Sequence, residues 1–167
     1  MSKQEIIEFC AQHCACEEFC GWALDTCDSM CDVWLTASPK WLVWVAARQG
    51  VLSDKELRLF ACFCVRQIWH LLTDDRSKNA VIVAEKYANG EATDAELADA
   101  HQQASMALAA TGDVWVVENA ALAVASNTRW MVRRASWEVW PLVPTAQEEQ
   151  AAYLRERFNP FLKDETK

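Results

Sequence analysis

The stretch "DKELRLFACFCVRQIWHLL", residues 54–72, constrains the fold more than any other. Leu57, Leu59, Phe60, Cys62, Phe63, Cys64, Val65, Ile68, Trp69, Leu71 and Leu72 leave almost no polar side on a helix of that length. A helix that is apolar all round has to be enclosed by other elements. The rest of the chain must therefore supply a shell, with Phe60, Cys64, Ile68 and Leu71 as the expected innermost stripe. At 167 residues the chain is long enough to bury such a core within one domain, without disulfide or metal support.

The shell reads as helical. Ser2-Lys3-Gln4-Glu5, Ser53-Asp54-Lys55-Glu56, Thr93-Asp94-Ala95-Glu96 and Thr145-Ala146-Gln147-Glu148 all fit the capping box, in which hydroxyl and carboxylate satisfy each other's backbone N–H. Ser38-Pro39 is a further start, with Pro at the first helical position. Gly50, Gly90 and Pro141 are stops. Apolar residues recur every three or four positions, as in Leu97, Ala100, Ala104 and Leu108, and in Ile82, Val83 and Tyr87. Val114–Val117 could pass for a strand, but its Ala-rich continuation favours helix. The expected segments are 3–14, 16–24, 29–36, 39–49, 54–72, 76–89, 94–110, 113–140 and 146–158. The predicted fold is all-α: a single-domain bundle of seven to nine helices around the helix at 54–72. Residues 1–160 form the domain and 161–167 a flexible tail.

A net charge of −8 disfavours general binding to nucleic acid or anionic membranes. The start, MSKQEIIEF, has no apolar signal segment, and no run reaches membrane-spanning length. The expected location is the cytoplasm, the host's if the chain is phage-encoded, and there the eight cysteines stay reduced.

Six of those cysteines fall between Cys10 and Cys31. Cys10/Cys14, Cys16/Cys20 and Cys27/Cys31 are each four apart, so on helices each pair would share a face. Two pairs could offer thiolates to zinc or copper(I). The favoured reading is core packing, because each pair continues an apolar face and free Cys behaves as a small hydrophobe. On that reading Cys16→Ala and Cys20→Ala each cost burial energy, and no metal or cofactor is expected. No Gly-rich phosphate loop or nucleophile elbow occurs, and His13, His70 and His101 are far apart in sequence. The chain is therefore not expected to be an enzyme, although a Cys–His pair could still form in space.

Binding is the better expectation. Nine tryptophans are unusual, and Trp suits interfaces through its apolar body and single donor. Five of them, from Trp22 to Trp69, are assigned to the core. From Tyr87 to Thr128 the chain carries six acids and no Lys or Arg, and then come Arg129, Arg133 and Arg134. The plain reading is a solvated face with a basic helix end. The sharper one is a docking surface for a basic partner, formed by Asp94, Asp99, Asp113 and Glu118 with Trp115 as anchor. Arg129, Trp130 and Arg133 complete the candidate binding set. They could stack on and clamp an anionic ligand.

"CACEEFCGWALDTCDSMCDVW", "PKWLVWVAARQGVLSDKELRLFACFCVRQIWHLLTDDRSKNAVIVAEKYANGEATDAEL" and "QAAYLRERFNPF" resemble a family of small helical proteins of tailed phages and bacteria, some of them labelled as immunity proteins. The resemblance covers most of residues 9–100 and the C-terminal region. It carries no catalytic motif, and this chain departs from it at 111–140, which places the variable, partner-facing part there. It implies a non-enzymatic protein that neutralises a host or toxin protein by stoichiometric binding, as an immunity or anti-defence inhibitor. The alternatives are a binder or sponge for a nucleotide signal, and a Cys-rich zinc or copper protein.

Overall fold

A computed structural model describes residues 3–110 and 129–162, the side chains of 129–131 excepted. Among these residues there are nine α-helices and no strand. They are α1 (Lys3–Gln12), α2 (Glu17–Thr26), α3 (Met30–Thr36), α4 (Pro39–Ala46), α5 (Asp54–Arg66), α6 (Asp75–Ala88), α7 (Asp94–Ala110), α8 (Arg129–Val139) and α9 (Ala146–Arg157). The fold is an all-helical single domain.

α5 starts at a complete capping box. The Ser53 hydroxyl accepts from the Glu56 N–H, and the Glu56 carboxylate accepts the Ser53 N–H at 2.7 Å. Its Leu57, Phe60, Ala61, Cys62, Cys64 and Val65 are buried, and α6, α8 and α9 pack around it. The predicted helix to residue 72 ends earlier, at Arg66. From there the bonding tightens to i→i+3 spacing, and Trp69–Leu71 is a 3₁₀ turn. Ile68 and Leu72 still reach the core, whereas Leu71 is only half-buried. The change falls where the Gln67 side chain bonds both Glu149 and Gln150 on α9.

α6 and α7 form the most extensive helix–helix contact among the described residues. The buried side of α6 is Ser77, Ala80, Val81, Ala84 and Ala88 rather than the predicted Ile82 and Val83, which are half-buried. α7 buries Leu97, Ala100, Ala104 and Ala107. Small side chains on both helices let the axes approach. Between them the chain reverses through Gly90, at φ +79°, where the Glu91 N–H reaches the Lys86 carbonyl and the Gly90 N–H that of Tyr87. This left-handed stop needs a residue without a Cβ penalty. Thr93 and Glu96 form the second reciprocal box.

Two other start signals differ. Thr145 takes helical rather than extended angles, and its hydroxyl donates to Glu149 instead of capping. Ser2 lies outside the described residues. Ser29 with Asp32 forms a cap that the S/T-x-x-E pattern did not flag.

The C-terminal segment closes over α3. The indole N–H of the fully buried Trp34 donates to the Phe158 carbonyl at 2.8 Å. Arg155 donates to the carbonyls of Trp34 and Ala37, at the end of α3. Phe161 packs against Trp34 and Phe9, so packed structure continues to that residue. Ser136 and Trp140 donate to the amide oxygen of the fully buried Gln150. The Gln150 amide N–H2 donates to Gln67, which links α8 and α9 to the end of α5.

Candidate functional site

The thiols separate into three groups, buried, half-buried and exposed. Cys27, Cys62 and Cys64 are buried, as core packing requires. Burial pushes the Cys62 thiol up to about 12, and Cys64 well above its usual value. Cys14 and Cys16 are exposed, which overturns their reading as core residues. The i,i+4 argument assumed unbroken helix. Instead, α1 ends at Gln12, Cys14 sits at φ +48° in the turn, and Cys16 is the residue before α2. Cys10 and Cys20 are half-buried neighbours, and burial first, then Cys20, pushes Cys10 up to about 12. Among the described residues no three His, Cys, Asp or Glu side chains converge on one metal-sized point.

Reactivity should follow this division, because the thiolate is the nucleophile. Brief alkylation with iodoacetamide at pH 8 should label Cys14 and Cys16 first. Cys62 and Cys64 should react only after unfolding. Peptide mapping by mass spectrometry checks the order, and early labelling of Cys64 would contradict the burial described.

The acidic surface lies on α7. Its first two turns and the residues before them expose Glu91, Asp94, Glu96 and Asp99, while Leu97 and Ala100 face inward. Asp94 is engaged, since it accepts the Tyr87 hydroxyl at 2.7 Å. Glu96 is held by Thr93. Asp99 is exposed. Asp113, Trp115 and Glu118 lie outside the described residues. An open cleft between α1 and the C-terminal segment, lined by Glu5, Glu8, Phe9, Met30 and Phe161, is also acidic.

The basic features gather elsewhere. α4 packs against α8. Arg48, just after α4, lies over the Trp44 ring at 4.6 Å and donates Nε–H to the Trp44 carbonyl. Arg133, on α8, lies over Trp137 at 4.3 Å, and Trp137 is 39% exposed. The His13 ring packs on Phe9 at 4.5 Å, and Phe9 meets Trp44 edge-on at 6.0 Å. Burial, then the charge of Arg133, holds Arg48 below its ordinary value. Burial, then Arg48, lowers His13. The Arg133 Nε is buried and has no hydrogen-bond partner.

The sequence singled out Arg129, Trp130 and Arg133 together. Arg129 and Trp130 start α8, but their side chains are not described. Arg133 stacks on Trp137 of the same helix instead. Arg48 was not singled out by the sequence because nothing local marks it, and His13 was considered only for a Cys–His pair. The one sequence signal for Arg48 was the aromatic Trp44 one turn before it. No family model, curated protein or solved structure matches the chain.

Proposed function

We propose that this chain is a non-catalytic binding protein that neutralises a protein partner by stoichiometric association, with a basic surface on that partner meeting α7. The observation that carries this reading is the charge of one face. Every charged residue from Glu91 to Asp99 is an exposed acid, and no Lys or Arg follows until Arg129. A predominantly negative field of that kind, to which the exposed Lys86 near Glu96 is an exception, speeds encounter and selects an oppositely charged partner. The resemblance to immunity-labelled phage and bacterial proteins points the same way.

Asp94 both starts α7 and binds Tyr87, so reversing it would disturb the fold. Reversal of Glu91 and Asp99, both exposed, is the cleaner test. The immobilised protein should capture a saturable basic protein from bacterial lysate at low salt. The Glu91→Lys, Asp99→Lys variant should associate with the purified partner roughly tenfold more slowly, with a weaker salt dependence. No saturable partner, or a partner indifferent to the double reversal, would sink the proposal.

A further inference from the structure

We propose that the cleft between α1 and the C-terminal segment is a docking site for one arginine side chain of a protein partner. The site lies apart from the acidic face of α7. It shares with the reading above only the premise of a basic protein partner.

Glu5, Glu8, Phe9 and Gln12 are spaced three and four apart, so they lie along one side of α1. Phe161 lines the cleft from the C-terminal segment, and the buried Met30, first residue of α3, adds a thioether. Residues from both ends of the chain thus share one cavity of about 280 Å³. Packing holds it in shape. The Phe161 ring meets Phe9 at 6.4 Å and Trp34 at 5.9 Å, both edge-on, and the Trp34 indole holds the Phe158 carbonyl. The Glu8 carboxylate accepts the Gln4 amide at 3.1 Å, which limits its rotation. A site formed before binding loses less freedom when it is filled.

Chemistry selects the occupant. Two carboxylates adjoin phenyl rings and a thioether, and the described lining residues include no Lys or Arg. Charge complementarity calls for a cation, and the apolar part for one with a flat or aliphatic surface. A guanidinium meets both needs, because its fork pairs with carboxylate oxygens while its plane lies against an aromatic ring. The chain builds this arrangement within itself. Arg66 lies over the Trp69 ring at 4.0 Å and donates to the two carboxylate oxygens of Glu85, at 2.9 and 2.6 Å. The cleft offers the same two kinds of surface to an arginine from outside. A compact ammonium is more strongly hydrated and gains less from the rings.

Size narrows the choice further. Sites for drug-sized ligands run to roughly 300–1,000 Å³. This cleft is smaller and open to solvent, so it suits one side chain, with room at the mouth for the backbone that carries it. A nucleotide would bring its phosphates against the carboxylates.

Titration with a blocked Gly-Arg-Gly peptide at low salt tests the site. The readout is the carbon-13 NMR signal of the Met30 methyl group, assigned with a Met30→Leu variant. The signal should shift and saturate with a dissociation constant on the order of 1 mM, as expected of a ligand making one side chain's contacts. A peptide with neutral citrulline in place of arginine should bind about tenfold more weakly, and one with lysine about threefold more weakly. Glu8→Gln should weaken the arginine peptide roughly fivefold, while Glu18→Gln, at an exposed carboxylate on α2, should leave it unchanged. Glu8 is exposed, and Gln4 can still bond the substituted amide, so the fold is preserved. Absence of a saturable Met30 shift overturns the proposal. So does equal or tighter binding of the citrulline or lysine peptide, or an unaffected Glu8→Gln variant. Tighter binding of free butylguanidinium than of the arginine peptide assigns the cleft to a small cation and overturns it too. No partner protein enters this titration, so its failure is distinct from a failure of the α7 face to capture one.

Discussion

Trp34→Ala should be the most damaging single substitution in the described core, lowering stability by about 3–5 kcal/mol. Trp34 is the largest fully buried side chain, and α3 is only seven residues long, so little around it can collapse into the space. The loss is not only volume. Its indole N–H serves the Phe158 carbonyl and its ring meets Phe161 at 5.9 Å, so the C-terminal segment loses its anchor as well. Trp34→Phe separates the two effects. It keeps most of the apolar surface but strands the carbonyl, at about 1–2 kcal/mol. Urea titration followed by circular dichroism reads both. Equal costs for the two variants would mean that the hydrogen bond, not the packing, dominates. A domain of this kind has a total stability of about 5–15 kcal/mol, so the alanine variant should be substantially unfolded at physiological temperature if the wild type lies at the lower end.

Gln150→Leu should cost about 2–4 kcal/mol, although Leu has nearly the same size and is more apolar. Burial of an apolar side chain does not compensate for what is stranded. The buried Ser136 hydroxyl and the Trp140 N–H both lose their acceptor, and the Gln67 amide oxygen loses its donor. Ser136 is fully buried and cannot turn to water. Adding Ser136→Ala to Gln150→Leu should therefore restore part of the loss, because it removes one stranded group. A double-mutant cycle measures this, and strictly additive losses would show that the two side chains are not coupled.

Comparison of sequence and structure separates local from tertiary causes. α5 was legible because its apolar residues cover every side, and Ser53 and Glu56 fix its start through bonds three residues apart. Its end was not, because Gln67 is engaged by Glu149 and Gln150, more than eighty residues away. The cysteine pairs were misread where a turn replaced helix, and Cys14 at φ +48° is a conformation that no propensity announces for that residue. The Thr145 box failed because the local angles gave its hydroxyl a different acceptor. The docking of α4 against α8 is tertiary as well, and spacing along the chain carries no trace of it.

The link from Trp34 to Phe158 spans 124 positions, and this has a consequence during synthesis. A ribosome adding about 5–20 residues per second needs on the order of ten seconds between the two. Throughout that interval the nascent α3 presents a large indole whose cover has not been made. The early helices therefore cannot reach their final packing while the chain is growing, and the emerging N-terminal half is the species a holding chaperone would meet. Completion comes only when the last helix is released and returns to the first third of the chain, so premature termination before Phe158 should yield aggregation-prone fragments rather than a smaller folded protein.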